Sequence, residues 1–224
     1  MADYEEQTAS TKLAGVIERN KKGIIAGLAV IVVLLIGYIV FAAVSNSVKI
    51  KALQALDEIS HEMTVKSNAL EDSEMDERLA TALEKALPYT KKSGIVGARA
   101  NLFCADITFK QEKYQDSASY WSAAAEKAKK TYIAPIAYFN LAVCYENLGN
   151  NDLAADNYKI AADDEDFVMR AHALFSYGRI MEAKGDYTAA AAAYTDLNDK
   201  FPAESWSNLG KTRLISLKNE GKIN

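Results

Sequence analysis

The amino-acid sequence predicts an all-α protein, with one membrane-crossing helix near the N-terminus followed by a solenoid of short helical hairpins. Three observations point there. Glycine and proline are scarce, 11 and 3 in 224 residues, and alanine-rich stretches such as 188–193 recur; this composition favours long helices joined by tight turns. Residues 23–44 read GIIAGLAVIVVLLIGYIVFAAV, without a charge. From residue 98 onward a Gly/Tyr/Ala pattern returns after 37 and then 36 residues, and self-similarity at such a period marks stacked repeats.

The first element is a polar leader, residues 1–22, and the second is the span itself, residues 23–44. At about 1.5 Å per residue the span covers roughly the 30 Å of bilayer hydrocarbon, and no charged side chain falls between Lys22 and Lys49. A secretory signal has a shorter apolar stretch of about 7–15 residues behind a short basic leader. The small residues of FAAVSNS (41–47) imitate a cleavage site, but the length of the run favours an uncleaved transmembrane anchor. Lys12, Arg19, Lys21 and Lys22 precede the span, whereas Lys49, Lys51 and, farther on, Lys66 follow it. This bias puts the N-terminus in the cytoplasm. In a bacterium, residues 45–224 then lie beyond the inner membrane, in the periplasm. The bias is small, and the reverse orientation would leave the domain cytoplasmic; a mitochondrial or other organellar adaptor fits the same layout.

Residues 45–94 predict a juxtamembrane helical hairpin. Ile50, Leu53, Leu56, Ile59 and Met63 follow helical spacing over 48–70, Glu71-Asp72-Ser73 breaks the run, and Leu79, Leu83 and Ala86 resume it. The hairpin reads as a degenerate repeat closing one end of the solenoid, with Pro88 to Gly94 as the link to the next unit.

Residues 95–224 predict three repeats and a capping helix. The repeats fall at 98–129, 135–166 and 171–202. In the second, Tyr138, Leu141, Ala142 and Tyr145 form one helical stripe, Leu148-Gly149-Asn150-Asn151 makes a turn, and Ala154, Tyr158 and Ala161 form a second stripe. The third repeats the plan with Leu174, Tyr177, Gly178 and Met181, a turn at Lys184-Gly185-Asp186-Tyr187, then Ala190, Tyr194 and Leu197, ending at Pro202. Small residues at Gly178 and Ala190 allow a close helix approach, with Tyr194 filling the space beside them. The first unit is weaker: Asn101, Cys104 and Ala105, then Tyr114, Ser117, Trp121 and Ala124. Residues 205–219 restart the pattern with Trp206, Leu209 and Gly210 but have no second helix, as a cap would.

These residues resemble the tetratricopeptide repeat family, whose pattern places an aromatic, Leu-Gly, Tyr, Ala, an aromatic, Ala and Pro at fixed offsets. The second and third units match at most positions and the first at about half. The whole layout resembles the membrane-anchored ancillary subunit of the bacterial Sec translocon, the YfgM-like family. That resemblance implies a periplasmic repeat domain associated with translocon subunits and with chaperones of secreted proteins. One subclass of the repeat family grips a chaperone's C-terminal carboxylate through Lys, Asn, Asn, Lys and Arg. The corresponding residues here are Leu102, Asp106, Asn140, His172 and Ser176, and only Asn140 matches, so that clamp is not expected.

The supply of catalytic groups is thin. There are two histidines, His61 and His172, and two cysteines, Cys104 and Cys144, without metal spacing or a triad order. Neither enzyme activity, a cofactor nor a metal is expected. A Cys104–Cys144 disulfide is conceivable between neighbouring units, but two buried free thiols are the simpler reading. The acidic run Asp163-Asp164-Glu165-Asp166 lacks a calcium-loop pattern and reads instead as the N-terminus of a helix opening at Phe167, where carboxylates complement the dipole. Of 26 basic and 30 acidic residues, four of each precede residue 45, leaving 22 against 26. So mildly acidic a domain lacks the dense positive surface that nucleic acid requires.

What remains is binding. In a hairpin solenoid the first helix of each unit lines the concave face. The candidate partner-binding groove is Arg99, Leu102, Phe103 and Asp106; then Ile136, Phe139, Asn140 and Val143; then His172, Phe175, Ser176 and Arg179. Apolar side chains interspersed with amides and charges suit an extended protein segment or a partner helix. The competing reading is that Leu102, Phe139 and Phe175 only pack between helices. The function expected is a membrane-anchored scaffold in protein export, or alternatively a scaffold for outer-membrane protein assembly, cell wall or division.

Overall fold

The computed structural model describes residues 2–65 and 71–224, and among these lie nine α-helices and no strand. They are α1 (Ala2–Thr64), α2 (Asp72–Thr90), α3 (Gly94–Lys110), α4 (Tyr114–Lys127), α5 (Ile133–Asn147), α6 (Asn151–Asp163), α7 (Arg170–Ala183), α8 (Tyr187–Lys200) and α9 (Ser205–Asn219). Residues 66–70 of the expected juxtamembrane helix, Lys66 included, lie outside the described residues.

The chain divides into two compact units, Met1–Lys51 and Ala52–Asn224. In the first, α1 is long and apolar enough to cross a membrane. Its apolar side chains are uncovered, Val33, Leu34 and Phe41 being 68%, 67% and 71% exposed.

The second unit is a stack of hairpins, each helix packed on the next in chain order. The residue that turns each first helix into its successor adopts a left-handed backbone: Glu112, Gly149, Gly185 and Gly221, recurring every 36 or 37 residues. Glycine takes that conformation at little cost, and Glu112 is the exception. The second helices then start on side-chain caps, with Asn150 accepting from the Leu153 amide and Asp186 from the Ala189 amide. Gly221 occupies the same place after α9, so α9 stands where a first helix stands in the repeat plan. It packs on α7 and α8 and buries Leu217, Ser207 and Gly210.

Neighbouring units are joined by a repeated polar contact. The Tyr158 hydroxyl, on α6, donates to Glu146 on α5, and Arg179 of the next unit donates to both Glu146 oxygens at 2.6 and 2.7 Å. One unit on, Tyr194 donates to Glu182 at 3.1 Å, and Arg213 of α9 binds the same carboxylate. Burial raises the pKa of both phenols, and the adjoining carboxylates raise it further. In the first unit Phe109 stands three residues before the turn, where the others have glutamate, and Trp121 replaces the tyrosine. Its buried indole N–H meets no acceptor.

Two boundary expectations are corrected. α2 continues through Pro88 to Thr90, because Tyr89 packs into the clusters around Leu56 and Ile59 and holds the last turn helical. The acidic run does not open a helix at Phe167. Asp163 ends α6, Asp164 is its C-cap, and α7 starts only at Arg170. Phe167 is drawn into the core against Phe139, which delays the helix, and Arg170 Nε donates to the Ala162 carbonyl at the end of α6.

Gly178 shows how tightly the third hairpin closes. A Cβ there would stand 2.6 Å from Cε1 and 2.9 Å from Cδ1 of the fully buried Tyr194. In an open helix, Gly→Ala stabilises by about 1 kcal/mol. Here we expect Gly178→Ala to lower the melting temperature, and Gly178→Leu to cost about 1–3 kcal/mol or more from overpacking. A melting temperature raised by alanine would show that the two helices do not approach as described.

Candidate functional site

The twelve residues of the expected groove fall into two groups. On the first unit, Arg99 Nη2 donates to Asp57 Oδ1 at 2.5 Å, tying α3 to the end of α1. Beside this pair lies an open cleft of about 250 Å³, lined by Leu56, Asp57, Ser60, Arg99, Leu102, Phe103, Asp106, Tyr132 and Ile133. Asp106 makes no hydrogen bond or ion pair with any described residue. It is exposed, yet the surrounding walls raise its pKa, an effect only partly offset by Lys110. A solvated but crowded carboxylate of this kind gains from an approaching cation or N–H donor. On α5, Ile136, Asn140 and Val143 are half-buried and continue the same face; Asn140 Nδ2 donates to the Ile136 carbonyl at 2.9 Å, leaving its oxygen available.

Leu102, Phe103, Ile136 and Val143 also rest their inner sides on the core, and the remaining residues are engaged further. Phe139 is 6% exposed, edge-on to Tyr158 at 5.3 Å and against Phe167 and His172 at 6.0 and 4.8 Å. Ser176 is buried, and Arg179 is held by Glu146. His172 stacks on Trp206 of α9, with centroids 3.8 Å apart and planes 7° from parallel, and Phe175 meets Trp206 at 5.3 Å. Trp206 of α9 therefore lies across the third unit's share of the expected residues, and those of the first unit and of the adjoining face of the second stay clear of it. Sequence reasoning missed Leu56, Asp57, Ser60, Tyr132 and Ile133 as lining residues. Helical spacing of Leu56 and Ser60 with the α1 core was available as a signal for the first three; Tyr132, in a turn, carried none.

The cysteines are buried and free. Cys144 Sγ donates to Ser117 Oγ at 3.3 Å, and burial pushes the Cys104 thiol up to about 12. Such thiols pack; they are poor nucleophiles.

A family model described as a tetratricopeptide repeat-like domain matches residues 17–219. The chain belongs to that family. It is 34% identical over 142 residues to a TPR repeat-containing protein of Treponema pallidum (strain Nichols), a match covering 63% of this chain and 59% of that one. The crystal structure of the apo form of RapI shares the fold, with a TM-score of 0.55 at 14% identity, over 74% of this chain and 51% of that chain. The chain thus spans little more than half the length of either protein. The repeat fold is that of a protein-interaction scaffold.

His172 gives the covered part of the groove a pH dependence. Burial lowers its pKa first, Arg179 adds to the effect, and Glu146 opposes it. Its charged form is thus disfavoured in the folded state. The contribution is neutral above the unfolded value near 6.5 and turns against folding as pH falls through it. We expect wild type to lose more melting temperature than His172→Phe, which keeps a ring for Trp206, between pH 8 and pH 5.5. Equal losses would mean that the imidazole titrates freely.

Proposed function

We propose that this chain is a membrane-anchored scaffold whose repeat domain lies in the periplasm and holds protein partners close to the membrane, at the exit of the Sec translocon and among the chaperones that receive secreted proteins. The observation that carries the binding role is the open cleft of the first unit, where apolar walls surround an unpaired carboxylate. Partners of matching chemistry present a basic side chain or N–H groups beside apolar residues.

Support for anchoring comes from the uncovered apolar side chains of residues 23–44 and from the basic residues before them. Water does not tolerate an apolar surface of that size, and lipid does. The family match begins at residue 17, so the apolar segment belongs to the family pattern together with the repeats. Assignment to the translocon extends the resemblance in layout to partners.

Two measurements test the proposal. A reporter active only outside the cytoplasm, fused after Asn224, should be active; a silent one would reverse the orientation and remove the export role. After solubilisation in mild detergent, translocon subunits should co-purify, whereas recovery of outer-membrane assembly, cell-wall or division components would move the scaffold to another machine. Asp106→Lys should reduce that recovery by about tenfold or more, as loss of an interface anchor does, with the melting temperature nearly unchanged because Asp106 is exposed and unpaired. Recovery equal to wild type would exclude the cleft as the docking site.

A further inference from the structure

The compact unit Ala52–Asn224 carries a basic edge whose lysines the groove does not use. Its first residues, Ala52 and Leu53, pack in one cluster with Tyr89 and Val96, which flank the α2–α3 turn. Ile95, at the start of α3, shares another cluster with Ala128 and Ile133, which flank the α4–α5 turn. A Cβ on Gly97 would meet both the Lys92 carbonyl oxygen, at 1.8 Å, and Lys127 Cδ, at 2.9 Å. These contacts bring the two turns side by side at the edge where the chain enters the domain.

The turns carry Lys91, Lys92, Lys127, Lys129 and Lys130. Lys129 is paired with Glu126 at 2.9 Å, and the other four make no ion pair with any described residue. Beside them Tyr132 is 68% exposed, a ring with an apolar body and a polar tip. Ammonium groups interleaved with an exposed tyrosine match the headgroup layer of a bilayer, where phosphates meet cations and Tyr prefers to reside. The tether is short: residues 45–51 separate the span from Ala52 and reach at most about 25 Å when fully extended. The α6–α7 turn, on the same edge, carries Asp163, Asp164, Glu165 and Asp166, which confines any contact with an anionic surface to the first two turns.

We propose that this edge docks on anionic lipid headgroups through Lys91, Lys92, Lys127 and Lys130, with Tyr132 at headgroup level. The proposal rests on the anchored reading above. Docking would orient the domain at the membrane and place the neighbouring cleft, which Tyr132 also lines, within reach of chains emerging there.

The test uses the full chain in lipid nanodiscs, either of neutral phosphatidylcholine or containing phosphatidylglycerol, read by hydrogen exchange. Exchange at 91–95 and 128–133 should slow in the anionic discs, while the opposite-edge turn at 148–152 stays unchanged. Each Lys→Gln change should weaken docking roughly fivefold, and the fourfold Lys→Gln variant should abolish the protection that the fourfold Lys→Arg variant keeps. Inorganic phosphate added to neutral discs should not reproduce the effect. Incorporation with equal exchange in both lipids overturns docking and leaves the anchor standing; a chain that fails to enter the discs overturns both.

Discussion

The stack depends on how each second helix buries a large ring with a polar tip. Tyr158 and Tyr194 fill the space between the two helices of their hairpins and are almost wholly enclosed, so each hydroxyl needs an acceptor inside the protein. Glu146 and Glu182 supply it, and the same carboxylates bind Arg179 and Arg213 on the first helix that follows. The arginine side chains are 46% and 41% exposed, so each ion pair contributes only about 0–1 kcal/mol. An orphaned buried hydroxyl would cost about 1–3 kcal/mol. The satisfied phenol is thus the larger effect, and the arginine mainly sets how the next unit sits against it.

The first unit shows what happens without that arrangement. Phe109 offers no acceptor, Trp121 keeps its N–H unpaired, and Glu112 turns the chain in a backbone conformation better suited to glycine. Its core is completed from the other side by Leu56 and Ala86 of the preceding hairpin. On that side α1 approaches α3 with Asp57 on Arg99, and the cleft at Asp106 opens beside them.

Much of the fold was legible because period and turn chemistry agree. Gly149 and Gly185 announced the turns, and Gly178 with Tyr194 the close packing of the third hairpin. The helix ends at Thr90 and Arg170 were misread because tertiary contacts of Tyr89 and Phe167 decide them, and no local rule registers those contacts. The surroundings of the expected groove residues were legible only in part. Helical spacing identifies which residues lie on the first helices, but not that Phe139 turns into the core or that Trp206 covers His172. Those outcomes depend on where α9 docks, which is set by Gly210 against Leu197 and by Arg213 on Glu182.

With Trp206 over the third unit and the cleft of the first unit open, the proposed partner face runs from Arg99 to Val143. The most direct measurement is crosslinking in living cells from a photoreactive residue at Leu102 or Ile136, compared with one at Lys159 on the opposite surface and one at Phe175 under the indole, with adducts identified by mass spectrometry. The account predicts specific protein adducts from Leu102 and Ile136 and few from Lys159 or Phe175. Adducts confined to Lys159, or equal from all four positions, would contradict it.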